Sequence, residues 1–109
     1  MRYKGELDGI VLGVLHAGPA HGYEIVKRVR AMSDGILGVG EAKLYPCLHR
    51  LEQESLVDAE WVPQEGKPAR RVYTLTTKGR AALAEKRGSW EKFSTAVATL
   101  LGAKESPNG

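Results

Sequence analysis

The sequence predicts a mainly α fold with a small β-hairpin and a long C-terminal helix. Three observations predict it. Between Gly40 and Glu54, Leu44, Leu48 and Leu51 recur at i, i+4 and i+7, which is one side of a 3.6-residue spiral. Leu56–Val62 and Arg70–Leu75 then read as two strands around a turn bearing proline and glycine. Beyond them, Leu83, Trp90 and Val97 are spaced by seven, a seam pattern that only a long helix can carry.

Taken in order, Leu7, Ile10, Val11, Val14 and Leu15 give a first helix over residues 6–16 with one buried stripe. Gly9 and Gly13 lie inside it. Each costs helix stability, up to ~1 kcal/mol relative to alanine, and their spacing of four suits either a close helix crossing or simple tolerance. Ala17-Gly18-Pro19-Ala20 is a turn. The second helix runs from His21 to Met32, with Tyr23, Ile25, Val26, Val29 and Met32 expected to face inward and Lys27, Arg28 and Arg30 to face water or phosphate. Ser33-Asp34-Gly35 closes it, and Ile36-Leu37-Gly38-Val39 is apolar enough to add a small strand. Gly40 is the expected N-cap of the central helix. Pro46 sits awkwardly within that helix, since proline removes a hydrogen bond, so the helix is expected to begin late or bend at Tyr45. Leu56, Asp58, Glu60 and Val62 alternate against Val57, Ala59 and Trp61; Pro63 to Pro68 form a turn with a basic tip. Thr76 or Thr77 caps a last helix of about 25 residues, roughly 37 Å long. Lys86, Gly79 and Gly88 weaken its heptad seam, and residues 103–109 read as a frayed tail. The expected domains are 1–76, 77–102 and that tail.

Composition narrows the function classes. A chain of 109 residues with 42% hydrophobic and 27% charged residues is one small globular domain. No apolar run approaches the roughly 20 residues needed to span a bilayer, and no apolar h-region follows the N-terminus. The single cysteine, Cys47, cannot form an intrachain disulfide, so no oxidising compartment is required and a cytoplasmic location is expected. A net charge of +3 and a pI of 9.1 are compatible with nucleic acid. The sixteen basic residues are spread along the chain, so folding must gather any footprint. Enzymatic chemistry finds no support. His16, His21 and His49 are scattered, no phosphate-binding glycine loop is present, and Cys47 and His49 diverge by about 200° on one helix. No metal or cofactor is expected. A redox role for Cys47 is disfavoured because it flanks the apolar face.

Helix, helix, helix and hairpin is the order of a winged helix-turn-helix. The central helix turns Ala42, Pro46, His49 and Gln53 away from its leucines, with Lys43, Tyr45 and Arg50 on the flanks. In such a fold the third helix enters the major groove and the wing follows the backbone or minor groove. Lys43, Tyr45, His49 and Arg50 are then expected to read or flank base edges, and Lys67, Arg70 and Arg71 to neutralise phosphates. Tyr23 and Lys27 are candidates for backbone contact, although Tyr23 suits the core equally. Arg50 has an alternative partner in Glu54 at i+4.

The chain resembles the PadR family of transcriptional regulators. The matching residues are Leu7–Leu15 of the first helix, then Gly18-Pro19-Ala20-His21-Gly22-Tyr23-Glu24-Ile25 and Leu44-Tyr45-Pro46-Cys47-Leu48-His49-Arg50-Leu51-Glu52, with Leu56-Val57, Trp61, Arg70–Thr76 and Gly79 further on, so that about residues 7–101 are covered. The resemblance implies a winged helix-turn-helix plus a long C-terminal dimerisation helix, acting as a homodimeric repressor on double-stranded DNA with an inverted-repeat operator. Leu83, Trp90, Phe93, Val97, Leu100 and Leu101 are the expected dimer interface. A multidrug-binding member of the short subfamily carries a tryptophan at the place of Trp90, which implies a site for a small planar aromatic effector at Trp90, Phe93 and Val14; a plain dimer core at Trp90 is the alternative. Two departures matter. Gly40-Glu41-Ala42-Lys43 replaces the usual Ser-Pro-Gly-Thr or Asn-Glu-Ala-Thr lead-in to the reading helix, so the operator does not carry over. Gly88 puts the shape of the ligand pore in question. A winged-helix protein-interaction module that never binds DNA remains the rival reading.

Overall fold

The computed structural model describes residues 3–102. In chain order the elements are α1 (Tyr3–His16), β1 (Ala20–His21), α2 (Gly22–Met32), α3 (Glu41–Gln53), β2 (Val57–Gln64), β3 (Lys67–Leu75) and α4 (Thr77–Leu100). The expected mainly α fold with its hairpin and long last helix is therefore observed; the expected tail at 103–109 lies outside the described residues.

The apolar stripes meet as their periodicity requires. Val11, Leu12, Val14 and Leu15 of α1 pack with Ile25 and Val29 of α2 and with Leu44, Leu48 and Leu51 of α3. Val57, Tyr73 and Leu75 close the core from the sheet, and Leu83 closes it from α4. Leu44, Leu48 and Leu51 are fully buried, each contributing about 1.5–3 kcal/mol of transfer free energy. Because this packing ties down one side of α3, the opposite side is left to solvent.

Each helix ends for a local reason. His21 is the N-cap of α2, its Nδ1 accepting the Glu24 N–H at 3.3 Å. Thr76 caps α4, its Oγ1 accepting the Gly79 N–H at 2.9 Å. At the C-terminus of α3, Ser55 adopts φ 64° and the Leu56 N–H reaches the Leu51 carbonyl at 2.9 Å, closing the helix without glycine. Asp34, at φ 54°, ends α2 in the same way. Pro46 is absorbed without a break, and α3 runs continuously from Glu41. The bond that proline cannot donate would go to Ala42, whose exposed position leaves its carbonyl to water.

Several expectations need correction. Ile36–Val39 forms no strand. The third strand is Ala20–His21, which pairs antiparallel with Tyr73 and Val72 to give the sheet order β1-β3-β2. Its two residues carry too little alternation to reveal it. The hairpin is longer than expected and turns through Glu65 and Gly66 alone, with Gly66 at φ 71° and a register shift between Val62 and Gln64 where Pro63 interrupts the pairing. Tyr23 and Met32, expected inward, are 57% and 59% exposed, because the core-facing stripe of α2 is set by Ile25 and Val29.

Helix α4 joins the core along its first half only. A Cβ on Gly79 would lie 2.1 Å from the Leu56 carbonyl oxygen, so only glycine lets α4 approach the base of the hairpin this closely. Gly9 of α1 faces the Lys86 side chain, with 3.4 Å to Cδ, so the crossing of α1 with α4 is seated there. Among the described residues, no helix is long and apolar enough to cross a membrane.

Candidate nucleic-acid interface

The solvent side of α3 lies between the start of α2 and the hairpin. Lys43, Tyr45 and His49 are exposed on it. Tyr45, 44% exposed, leans across the first turn of α2, and a Cβ on Gly22 would meet its hydroxyl oxygen at 2.3 Å. Gly22 is thus the residue that lets the reading helix and α2 share one surface. Between them and the hairpin lies an open concavity of about 440 Å³, bounded by His21, Tyr23, Tyr45, Trp61, Arg70 and Arg71. Its rim carries phenol hydroxyls, an imidazole and guanidinium groups. This set donates hydrogen bonds and positive charge to an anionic backbone and offers flat faces to sugars and bases.

The expected contact residues divide into free and engaged groups. Lys27 is exposed, with its Nζ 5.3 Å from the Tyr23 ring centroid. Lys67 and Arg70 are exposed on the wing. Arg71 is engaged: its Nη2 donates to Glu52 Oε2 of α3 at 2.7 Å, and its guanidinium carbon lies 5.3 Å from the Trp61 ring centroid. That arginine ties the wing to the reading helix. Arg28, expected to face water or phosphate, donates to the Gly18 carbonyl at 2.9 Å and to Glu24 at 3.1 Å, so it braces the turn before β1. Arg50, weighed between DNA and Glu54, has a different acidic partner within the chain: its Nη2 donates to Asp8 of α1. Residues that sequence reasoning missed are therefore Asp8, Glu52 and Gly22; nothing local signals the first, which is 42 positions from its partner.

Three titratable groups depart from their ordinary values within this region, among them Arg50, which the hydrogen bond to Asp8 raises. Burial, followed by the hydrogen bond to Asp8, pushes the Cys47 thiol up to about 12. Burial also raises the Tyr73 hydroxyl. A thiol held protonated is a poor nucleophile and a poor metal ligand. Among the described residues, no group of three or more His, Cys, Asp and Glu is placed to hold a metal ion.

The outer half of α4 presents a second surface. Trp90 and Phe93 are 55% and 47% exposed, with ring centroids 5.8 Å apart and planes at 40°. Leu100 and Leu101 are exposed and Val97 is half-buried. Val14 and Leu83, expected at the ligand site and at the dimer interface, are covered instead by their own chain, where α1 and α4 meet the core.

Comparison with known proteins agrees with this geometry. The family model for transcriptional regulators of the PadR-like family matches residues 11–85. A transcriptional regulator of Mycobacterium tuberculosis is 46% identical over 59 residues, 54% of each chain. A PadR-like transcriptional regulator of Bacillus cereus superposes with a TM-score of 0.77 at 31% identity, covering 93% of this chain and 96% of that one. A transcriptional regulator of Clostridium thermocellum gives a TM-score of 0.80 at 28% identity, over 89% and 91% of the two chains.

Proposed function

Since the chain belongs to the PadR-like family of transcriptional regulators, we propose that it acts as a homodimeric repressor whose two α3 helices read successive major grooves of an inverted-repeat operator. The observation that carries this reading is the shared face of α2, α3 and the wing. Tyr23, Tyr45, Arg70 and Arg71 line one concavity between α2, α3 and the hairpin, Lys27 stands beside the Tyr23 ring, and Lys43 and His49 on the reading helix and Lys67 on the hairpin are exposed. Lys43, Tyr45 and His49 meet base edges; Lys67, Arg70, Tyr23 and Lys27 meet phosphates and supply affinity without sequence choice. Half-sites then stand about one helical turn, roughly 34 Å, apart.

Dimerisation follows from the outer half of α4. Trp90, Phe93, Val97, Leu100 and Leu101 form an apolar stripe that extends past the core, and a second copy of the same helix is the partner whose own stripe matches it. The tilted, half-exposed Trp90–Phe93 pair also favours a small planar aromatic effector between the two helices. Such an effector acts only through its different affinity for two arrangements of the dimer.

Selection from random-sequence duplexes tests the reading. Enrichment of an inverted repeat supports it. Failure to enrich any duplex, with the folded chain capturing a protein partner instead, supports the interaction-module reading. Titration with planar dyes, read by tryptophan fluorescence, tests the effector. Quenching that persists after Trp90→Ala overturns the effector site, and Trp61 on the hairpin serves as the internal control.

A further inference from the structure

Within the DNA-binding reading, on which this inference rests, we propose that Asp8 of α1 is the positioning residue that sets the rotation of the reading helix, acting through Arg50. Asp8 Oδ1 accepts two hydrogen bonds from α3: the Cys47 thiol donates at 3.3 Å and the Arg50 Nη2 donates beside it. Cys47 and Arg50 are three residues apart, so both rise from the same side of α3, and one carboxylate oxygen grips them together. The Asp8 side chain retains 15% of its exposure and that of Arg50 31%, so the pair lies largely within the α1–α3 contact.

The leucine face alone does not do this work. Burial of Leu44, Leu48 and Leu51 holds α3 close to the core, but hydrophobic attraction is non-directional and resists rotation about the helix axis only weakly. A charge-assisted hydrogen bond is directional and resists it. The stake is geometric: a rotation of about 20° moves a side-chain tip about 6 Å from the axis by about 2 Å, which is enough to lose a base contact. Arg50 therefore contributes to recognition without touching DNA. Asp8 in turn places a negative charge in a DNA-binding domain, where it opposes non-specific attraction, because its value lies in aiming α3. The Cys47 thiol, pushed up to about 12 by burial and by the bond to Asp8, stays protonated at neutral pH and remains a donor in the same grip.

The test is a double-mutant cycle in the full chain, with Asp8→Asn, Arg50→Met and their combination. Affinity is measured at one salt concentration for the selected operator duplex and for a scrambled duplex of equal length. The readout is the ratio of the two affinities, which general unfolding does not change because it lowers both together. Asp8→Asn is expected to lower the ratio about tenfold while affinity for the scrambled duplex holds or rises, since one negative charge is lost. Adding Arg50→Met to Asp8→Asn is expected to change the ratio by less than about threefold, because Arg50 acts only through Asp8. A fall of less than about threefold for Asp8→Asn overturns the assignment, as does an Arg50→Met loss of equal size in both backgrounds, the signature of direct DNA contact. Where Asp8→Asn fails to fold, Asp8→Glu, which keeps the charge but displaces the acceptor, takes its place in the cycle and is read by the same criteria. A wild-type chain for which selection enriches no duplex fails the DNA-binding reading itself and this proposal with it. Specific wild-type binding with an unchanged ratio in the variant fails the Asp8 assignment alone.

Discussion

Gly79→Ala sets helix propensity against packing at a single atom. An alanine Cβ would stand 2.1 Å from the Leu56 carbonyl oxygen and 2.8 Å from Leu75 Cδ1. The leucine methyl can rotate away. The carbonyl cannot, because it belongs to backbone already accepting the Thr76 N–H at 3.2 Å and the Thr76 hydroxyl at 3.1 Å. The first turn of α4 must therefore shift outward, at about 1–3 kcal/mol for overpacking and about 1 kcal/mol for a loosened Thr76 cap. Alanine returns at most ~1 kcal/mol of propensity. The net loss is about 2 kcal/mol, a fall in Tm of roughly 10 °C for a domain of this size. Gly13→Ala is the matched control, since a Cβ there meets nothing within 4 Å. It is expected to gain up to ~1 kcal/mol. The assay is thermal unfolding followed by circular dichroism at one protein concentration, because association shifts Tm. A Gly79→Ala protein as stable as the parent, with Gly13→Ala stabilised, would refute the close approach of α4 to the hairpin.

Further outcomes follow from other features. Cys47 is raised to about 12 in the folded chain from an ordinary value of 9.0, so its contribution to stability is complete below about pH 9 and is lost as pH rises towards 12. Chemical denaturation between pH 8 and 11, expected to show this loss in the parent and a flatter profile in Cys47→Ala, checks it; native alkylation at pH 8 should be slow and should accelerate on unfolding. Ser55→Gly removes the left-handed strain at φ 64° and is expected to raise stability by up to about 1 kcal/mol in urea titrations, because the Ser55 carbonyl bond to Thr76 is backbone and survives. Replacing Lys67 and Arg70 together by alanine should reduce the slope of log affinity against log salt by about 2 per protomer without changing which duplex is preferred; a shifted preference would place one of them on a base edge.

Much of this molecule is legible in the chain because its core is periodic. The spacing of Leu44, Leu48 and Leu51 specifies both the buried face of α3 and, by subtraction, the exposed Lys43, Tyr45 and His49. Thr76 announces the start of α4 by its capping chemistry. What escaped depends on partners distant in sequence or on elements too short to be periodic. Arg50 has an acid four residues away in Glu54, yet packing of α1 across α3 supplies Asp8 instead. Arg71 reads only as a phosphate contact, and the fold adds Glu52 as a partner beside it. Strand β1 consists of two residues, and its evidence is the pairing itself. Tyr23 sits where an apolar stripe could include it, and only the position of Ile25 and Val29 against the core turns it outward.

The way α4 is fastened turns it into a lever. Gly79 clamps one end to the hairpin base and Gly9 seats the helix near Lys86, while from Gly88 onward its side chains are exposed or half-buried. That free arm of about thirteen residues spans about 20 Å, so tilting it by about 10° at the clamp sweeps its tip through about 3.5 Å, close to the thickness of one aromatic ring. With the tips of two such arms joined, the same sweep must appear at the opposite ends, as a change in the distance between the two bodies.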